Sequence, residues 1–345
     1  MKKNIFISYI VPCYNIQEYL PRCLDSLSKQ YIDSNEEVEF VLVNDGSPDN
    51  CLEIIREFAA KDHRAVVIDQ KNQGVSIARN NGLNVAKGKY VFFLDGDDWL
   101  IDDASEKIYR AGSKGFPDIL IMGNYKAYEG EPEAKTVWVD ASKCATPGTY
   151  KKNDLIVKAK SLPISFKIYR TEFLKQRNIA FDSSLIVGEL YAFFIMALAE
   201  ADKVGVSGEY VMYYLRRKEG SAVSQLNCER DLRILDTLHL IDDIVATKCP
   251  KIGKISGYRK SLFWLVLAFS VLKYAKRVDF QPEIGILMDR VKKDSIFRKL
   301  MKSIISDSFS ISNKHCVLSL LLLYLPSSVC YSIIRGGIKI YMYLH

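Results

Sequence analysis

The chain has 345 residues, 48% of them apolar and 26% charged, with a formal net charge of +7. These fractions are ordinary for a globular protein, and the length suits two domains, or one domain with an appendage. The eight cysteines are scattered with no C-x-x-C pair, which argues against a zinc site and a disulfide framework and for a reducing, cytoplasmic compartment.

Charge is unevenly placed. Residues 226–345 hold 19 Lys/Arg against 10 Asp/Glu, leaving 29 against 31 for the rest. Such asymmetry points to an anionic partner surface, membrane or nucleic acid, or to a solvated helical face. No nucleic-acid motif accompanies it, so a nucleic-acid partner is not expected.

The N-terminal run IFISYIV follows Lys2 and Lys3, but PCYN stands where a signal peptidase would need small residues, so no secretory signal is read. IFISYIVPCYN reads as a buried strand ending in a turn. EYLPRCLDSLSKQ carries Tyr19, Leu20, Cys23, Leu24 and Leu27 at helical spacing. VEFVLVNDGS is a second strand, NCLEIIREFAAK a second helix and AVVIDQ a third strand. VSIARNNGLNVAKG reads as a helix with Gly88 as its C′ residue. YVFFLDGDD reads as a fourth strand. Strands alternating with helices predict an α/β fold, a mostly parallel sheet with helices on both faces.

Three of these strands end in polar clusters: PCYN, NDGSPDN and DGDD. Each alone is ordinary turn chemistry. Together they mark a ligand cleft, because ligands of open α/β sheets bind outside the carboxyl ends of the strands.

FPDILIMGNYKAY reads as another strand, and TVWVDA and a loop-like CATPGTYKKND follow. Residues 164–190 read as a helix framed by extended pieces, and LYAFFIMALAEAD as an apolar helix. EYVMYYLRRKEGSAVSQ reads as a strand entering a basic loop. Beyond 226 the pattern is helical. SLFWLVLAFSVL and HCVLSLLLLYL have 12 and 11 residues, short of the roughly 18–20 that span a bilayer, so they are buried or interfacial helices.

The DGDD cluster is the sharpest chemical signal. Oxygen-rich carboxylate groups suit Mg2+ or Mn2+. In an extended segment Asp95 and Asp97 share one face, and Asp98 faces the other, where it caps the following turn. Gly96 would let a ligand approach the backbone. An EF-hand fails, because Trp99 and Leu100 stand where an oxygen ligand and a glycine are required. N-capping alone needs one Asp, not three. Neither GxxxxGK[ST] nor GxGxxG is present, which removes the P-loop and dinucleotide-binding readings.

VPCYN (11–15), VNDGSPDN (43–50), NQGVSIARNNGL (72–83) and FLDGDDW (93–99), in that order and spacing, resemble the N-terminal motifs of the family 2 glycosyltransferases. The likeness covers about residues 4–225. It implies a GT-A fold, a nucleotide-sugar-binding, Rossmann-like sheet with a helical C-terminal extension. The implied domains are 1–225, with a nucleotide half to 115 and an acceptor half from 116, and 226–345. The resemblance also implies a UDP- or similarly activated sugar donor, a divalent cation and inversion at the anomeric carbon. The implied acceptor is a saccharide or polyprenyl-linked saccharide of cell-surface polysaccharide assembly, with the protein peripheral on the inner face of the cell membrane.

Carried over by position, Pro12, Tyr14 and Asn15 would line the nucleoside pocket. Asp45 would bond the base, with Asn44 replacing the first Asp of the family's pair. Asn72 and Arg79 would contact the nucleotide. Asp95 would lie by the ribose, and Asp97, with Asp95, would hold the metal in a D-x-D pattern. Arg216, Arg217 and Lys218 would close over the diphosphate. The family's Glu-Asp pair, which supplies the general base, appears as Glu189–Leu190. Leucine cannot take a proton, so Glu189 or a neighbour such as Asp182 serves as base, or the protein binds donor without efficient turnover. Lys167 matches a family lysine and receives no role.

Overall fold

The computed structural model describes residues 4–158, 167–217, 226–253, 256–270, 274, 281–307, 322 and 324–344. They group into two compact units. The first takes the described chain from residue 4 to 183 and Phe193–Arg217; the second takes Ser184–Ala192 and the described residues from 226 onward. Residues 218–225, which adjoin the boundary expected at 225/226 and include Lys218, lie outside the described residues.

In the first unit the strands β1 (Asn4–Cys13), β2 (Glu36–Asp45) and β3 (Ala65–Gln70) alternate with helices α1 (Leu20–Ser28), α2 (Cys51–Lys61) and α3 (Val75–Val85). β4 (Tyr90–Phe93) and the two-residue β5 (Trp99–Leu100) follow, then α4 (Ala104–Gly112), β6 (Ile119–Tyr128) and β7 (Glu131–Val139). β8 (Gly148–Lys151), α5 (Lys152–Lys158), β9 (Ile168–Arg170), α6 (Thr171–Gln176), α7 (Glu189–Glu200), whose residues through Ala192 fall in the second unit, and β10 (Lys203–Arg216) complete it. Residues 144–154, expected as loop, thus contain β8 and the start of α5. β8 is specified by its partner β10 (Lys203↔Lys151 to Val206↔Gly148), a pairing that local sequence does not announce.

The sheet order is β3-β2-β1-β4-β9-β6-β10-β5, with β7 on β6 and β8 on β10. β1 pairs in parallel with β2 and β4, β2 with β3, and β6 with β10. The short β9 lies antiparallel between β4 and β6. Six strands (β1, β2, β3, β4, β6 and β10) therefore run one way and end on one edge. β1, β2 and β4 are almost continuously buried, as parallel strands covered on both faces must be. An aromatic core closes below the end of β4: Phe93 meets Phe181 and Phe193 edge-on at 4.9 and 5.5 Å, and those two rings stack at 4.1 Å.

Two expected boundaries move. α3 stops at Val85, where Ala86 turns to φ −56, ψ 131, so Gly88 is not its C′ residue. Gly88 instead passes against β1: an added Cβ would come within 2.5 Å of the Ser8 nitrogen, and its N–H donates to Ser8 Oγ at 2.8 Å. The fourth strand stops at Phe93 rather than running to Asp98. The chain turns there, with Asp98 N–H donating to the Asp95 carbonyl at 2.9 Å.

The described elements of the second unit from 226 onward are helices: α8 (Cys228–Leu232), α9 (Ile234–Lys248), α10 (Pro250–Gly253), α11 (Ser256–Phe269), α12 (Pro282–Lys293), α13 (Ser295–Asp307) and α14 (Ser327–Leu344). In α11, Leu262, Phe263, Leu265, Val266 and Leu267 are buried. That apolar segment is core, the first of its two expected readings. HCVLSLLLLYL falls mostly outside the described residues. Among the described residues no helix is long and apolar enough to cross a membrane.

Candidate active site

The strand order reverses between β1 and β4: β2 and β3 lie to one side of β1, β4 to the other. That is the switch point at which open α/β sheets leave a crevice beyond their carboxyl ends. The motif residues of β1, β2, α3 and β4 all belong to this edge.

At the end of β1, Pro12 is half-buried and Tyr14 is 48% exposed. Asn15 adopts φ +53, a left-handed conformation Asn tolerates better than most residues. Its N–H donates to Ser47 Oγ at 2.8 Å, and Ser47 Oγ donates to Asp49 at 2.5 Å. Gln17 N–H donates to Asp49 at 2.9 Å, and Asn50 N–H to Gln17 Oε1 at 3.0 Å. Burial alone would raise the Asp49 carboxyl, but bonds from Cys51, Ser47 and the Gln17 amide outweigh it and hold it down at about 2. The DGSPDN run is thus a clamp that fixes the exit of β1.

Asp45, at the end of β2, is only 3% exposed. It accepts from Gln70 Nε2 at 2.8 Å and from the backbone N–H of Gln73 and Gly74, each at 2.9 Å. Its visible work is to hold residues 70–74 and so present the exposed Asn72. A contact with a base has only the lone pairs those bonds leave. Asn44 donates to Asp69 at 2.8 Å. Gly46 is required here: φ is +62, and a Cβ would stand 2.6 Å from the Asn72 nitrogen.

The three carboxylates after β4 converge. One oxygen from each of Asp95, Asp97 and Asp98 lies within 4.8 Å of the others. The expected alternation of faces is therefore corrected. The segment is a turn, not an extended strand, so Asp98 joins the group instead of capping. Asp98 is 1% exposed; its Oδ1 accepts from Leu215 N–H of β10 at 2.8 Å, and its buried Oδ2 has no hydrogen-bond partner. Gly96 does not leave the backbone open either. A Cβ there would stand 2.4 Å from Ile16 Cδ1 and 3.3 Å from the Pro12 carbonyl oxygen. The turn is packed onto the exit of β1.

Two arginines meet this cluster. Arg79, 2% exposed on α3, donates to Asp95 at 2.7 Å and lies 5.2 Å from the Phe181 ring. Arg217 Nη2 lies 2.8 Å from Asp97 Oδ2, and its guanidinium is 4.8 Å from the Tyr19 ring. Tyr19 in turn donates to Glu129 at 2.6 Å. Arg216, one residue earlier, is exposed. Burial pushes the Asp97 carboxyl up to about 6; Arg217 draws it down and Asp95 pushes it further up. Burial, then Asp97 and Asp95, push the Asp98 carboxyl well above its ordinary value.

These carboxylates suit a hard cation. They offer clustered oxygens, one of them an orphaned buried oxygen whose desolvation nothing yet offsets. The membership of Asp98 and the Arg217–Asp97 pair were missed in the sequence. Both depend on β10 returning beside β5 (Tyr213↔Trp99), more than a hundred residues later. The one available hint was the third Asp itself.

Glu189 opens α7 with Leu190 beside it, and both are half-buried. A carboxylate in the first turn also suits the helix dipole. The helix's first turn belongs to the second unit, whereas Asp182 belongs to the first. Lys167 is 3% exposed, with Nζ 4.2 Å from the Phe194 ring, and burial lowers its ammonium to about 7. A hollow of about 600 Å³ on the outer side of the β1–α2 clamp is lined by Glu18, Glu53 and Glu57 with Gln17, Asn50 and Ile54. Its charge is wrong for a diphosphate.

Known proteins resemble this chain. The family model of glycosyl transferase family 2 matches residues 8–177. The glycosyltransferase EpsJ of Bacillus subtilis is 25% identical over 80% of this chain and 88% of its own length. The poly(ribitol-phosphate) beta-glucosyltransferase of Bacillus spizizenii is 29% identical over 63% of this chain, a match that spans 33% of that longer protein. The crystal structure of Staphylococcus aureus TarS 1–349 in complex with UDP-GlcNAc superposes with a TM-score of 0.70 over 97% of this chain and 92% of that one, at 20% identity. That likeness carries the GT-A fold and extends over the helical C-terminal region. Through residues 8–177 the chain belongs to glycosyl transferase family 2, as a glycosyltransferase of the GT-A fold.

Proposed function

We propose that the protein moves a sugar from a nucleoside-diphosphate donor, a UDP-sugar, to a saccharide or polyprenyl-linked saccharide with inversion. The setting is cell-surface polysaccharide assembly at the cytoplasmic membrane face. The observation that carries the reading is the convergence of Asp95, Asp97 and Asp98 with Arg79 and Arg217 at the sheet's switch point. The poly(ribitol-phosphate) relative and the UDP-GlcNAc complex of TarS support the donor and acceptor classes.

In this reading Pro12, Tyr14 and Asn15 form one wall for the nucleoside, and Asp45 holds the loop that offers Asn72. Arg79 fixes the rotamer of Asp95 beside the ribose. Asp97, with Asp95, holds a divalent cation, Mn2+ or Mg2+, which neutralises charge on the departing diphosphate. Arg217 must share or release Asp97 when donor arrives, and it then meets the diphosphate with Arg216. Glu189 accepts the proton of the attacking hydroxyl.

A second reading keeps the donor site without efficient turnover, on the observation that Leu190 replaces the family's base. Titration with a panel of nucleotide sugars, with and without Mn2+, tests the donor half. Equal binding in both conditions overturns the role of Asp97. Glu189→Gln is expected to abolish transfer with donor affinity kept, and Leu190→Asp to raise the rate. Unchanged rates in both variants would favour the second reading or another base.

A further inference from the structure

We propose that a surface formed by α12, α13 and the start of α14 is where this protein rests on an anionic lipid surface. The inference depends on the membrane-face part of the reading above and names the contact, which the buried α11 cannot supply.

Lys293, Arg298, Lys299 and Lys302 line one hollow of about 450 Å³ together with Ser295, and no carboxylate lines it. Among the described residues none of these four cations has an ion pair, whereas Arg230 and Arg233 of the same unit are paired with Asp231 and Asp236. The nearest acid in sequence, Asp294, is taken by His239 at 2.7 Å and by Phe297 N–H at 2.8 Å. On α13 the apolar side is spent on the core, with Phe297, Met301 and Ile304 buried, so the cationic side is the one left to a partner.

The cations do not stand alone. Ile286, 58% exposed, precedes the exposed Arg290 and Lys293 by four and seven residues, which places all three on one stripe of α12. α14 begins against α12, where Lys292 Nζ bonds the Leu325 carbonyl and Ser327 Oγ. There Tyr324 is 73% exposed, and Val329 and Ile333, one turn apart, are 45% and 46% exposed. A soluble polyanion is bound by cations alone. Exposed aliphatic and tyrosyl side chains beside unpaired cations suit the headgroup–acyl boundary of a bilayer instead. Each Lys or Arg near an anionic membrane contributes about a fivefold gain in partitioning, within a Debye length of roughly 8–10 Å.

The test is co-sedimentation of the full chain with phosphatidylcholine vesicles, with and without phosphatidylglycerol. Binding is expected only with the anionic lipid and is expected to fall with salt. Lys299→Glu/Lys302→Glu should lower the partition coefficient by more than about tenfold. Ile286→Ser/Ile333→Ser should remove the binding that survives high salt. Circular dichroism verifies folding, and donor binding, measured without vesicles, should be unchanged in both variants. Wild-type sedimentation of the charge-reversal variant overturns the proposal. So does binding of inorganic polyphosphate as tight as that of vesicles and indifferent to the isoleucine changes. A wild-type chain that binds vesicles but no nucleotide sugar would fail the functional reading and leave this one standing.

Discussion

The ends of β2 and β4 place carboxylates on the same sheet edge and treat them in opposite ways. Asp45 receives three donors, two of them backbone N–H groups, and Asp49 receives Gln17, Cys51 and Ser47. Asp98 receives one N–H on one oxygen and none on the other, and Asp97 leans on a single arginine. Their protonation differs accordingly: bonds from Cys51, Ser47 and Gln17 outweigh burial and hold Asp49 at about 2, whereas burial, only partly offset by Arg217, pushes Asp97 to about 6. A saturated carboxylate is scaffold. An under-supplied buried one holds unfavourable electrostatics in reserve, to be relieved by a ligand.

The largest effect should come from Asp97→Asn. Transfer is expected to fall by about two to three orders of magnitude, the usual scale for losing a group that stabilises the leaving charge. The thermal midpoint should hold or rise, because a desolvated charge is gone. Intact activity with a lower midpoint would break the comparison. Next comes Asp45→Ala, which leaves the Gln73 and Gly74 amides without an acceptor and should cost about 2–4 kcal/mol in urea unfolding. A cost near zero would show that this carboxylate is not scaffold.

The smallest effect is pH dependence. The folded carboxyl of Asp97 lies above its ordinary 3.8. Without a cation, its share of stability is present below about 4 and shrinks as pH rises through about 6. Cation binding needs the ionised form, so Mn2+ affinity should be flat above neutrality and fall below about pH 6, by at most about tenfold per unit. Calorimetric titration across that range measures the sign directly. Affinity that rises on acidification would remove Asp97 as a ligand.

Most of the first unit was legible because its order is written locally. Val41, Leu42 and Val43 in a continuous apolar run, stopped by Asn44, Asp45 and Gly46, could only be a buried strand and its exit. β9 was hard to define because three residues, Ile168–Arg170, carry no period of their own; they are strand because β4 and β6 flank them. The same holds within the site. Asp95 and Asp97 could be chosen from composition and spacing, but the approach of Arg217 and of Leu215 N–H is set by a strand that returns from across the domain. Gly88 is a similar lesson: a helix-stop residue by rule, a contact residue in fact.

Gly96 stands between Asp95 and Asp97, the two aspartates proposed to hold the cation. Because Gly96 packs against Ile16 and the Pro12 carbonyl, the exit of β1 and the acidic turn are held together. With the donor bound as proposed, this contact would set the distance from base to diphosphate. A change at Ile16, which need touch no ligand at all, would then be expected to shift that distance.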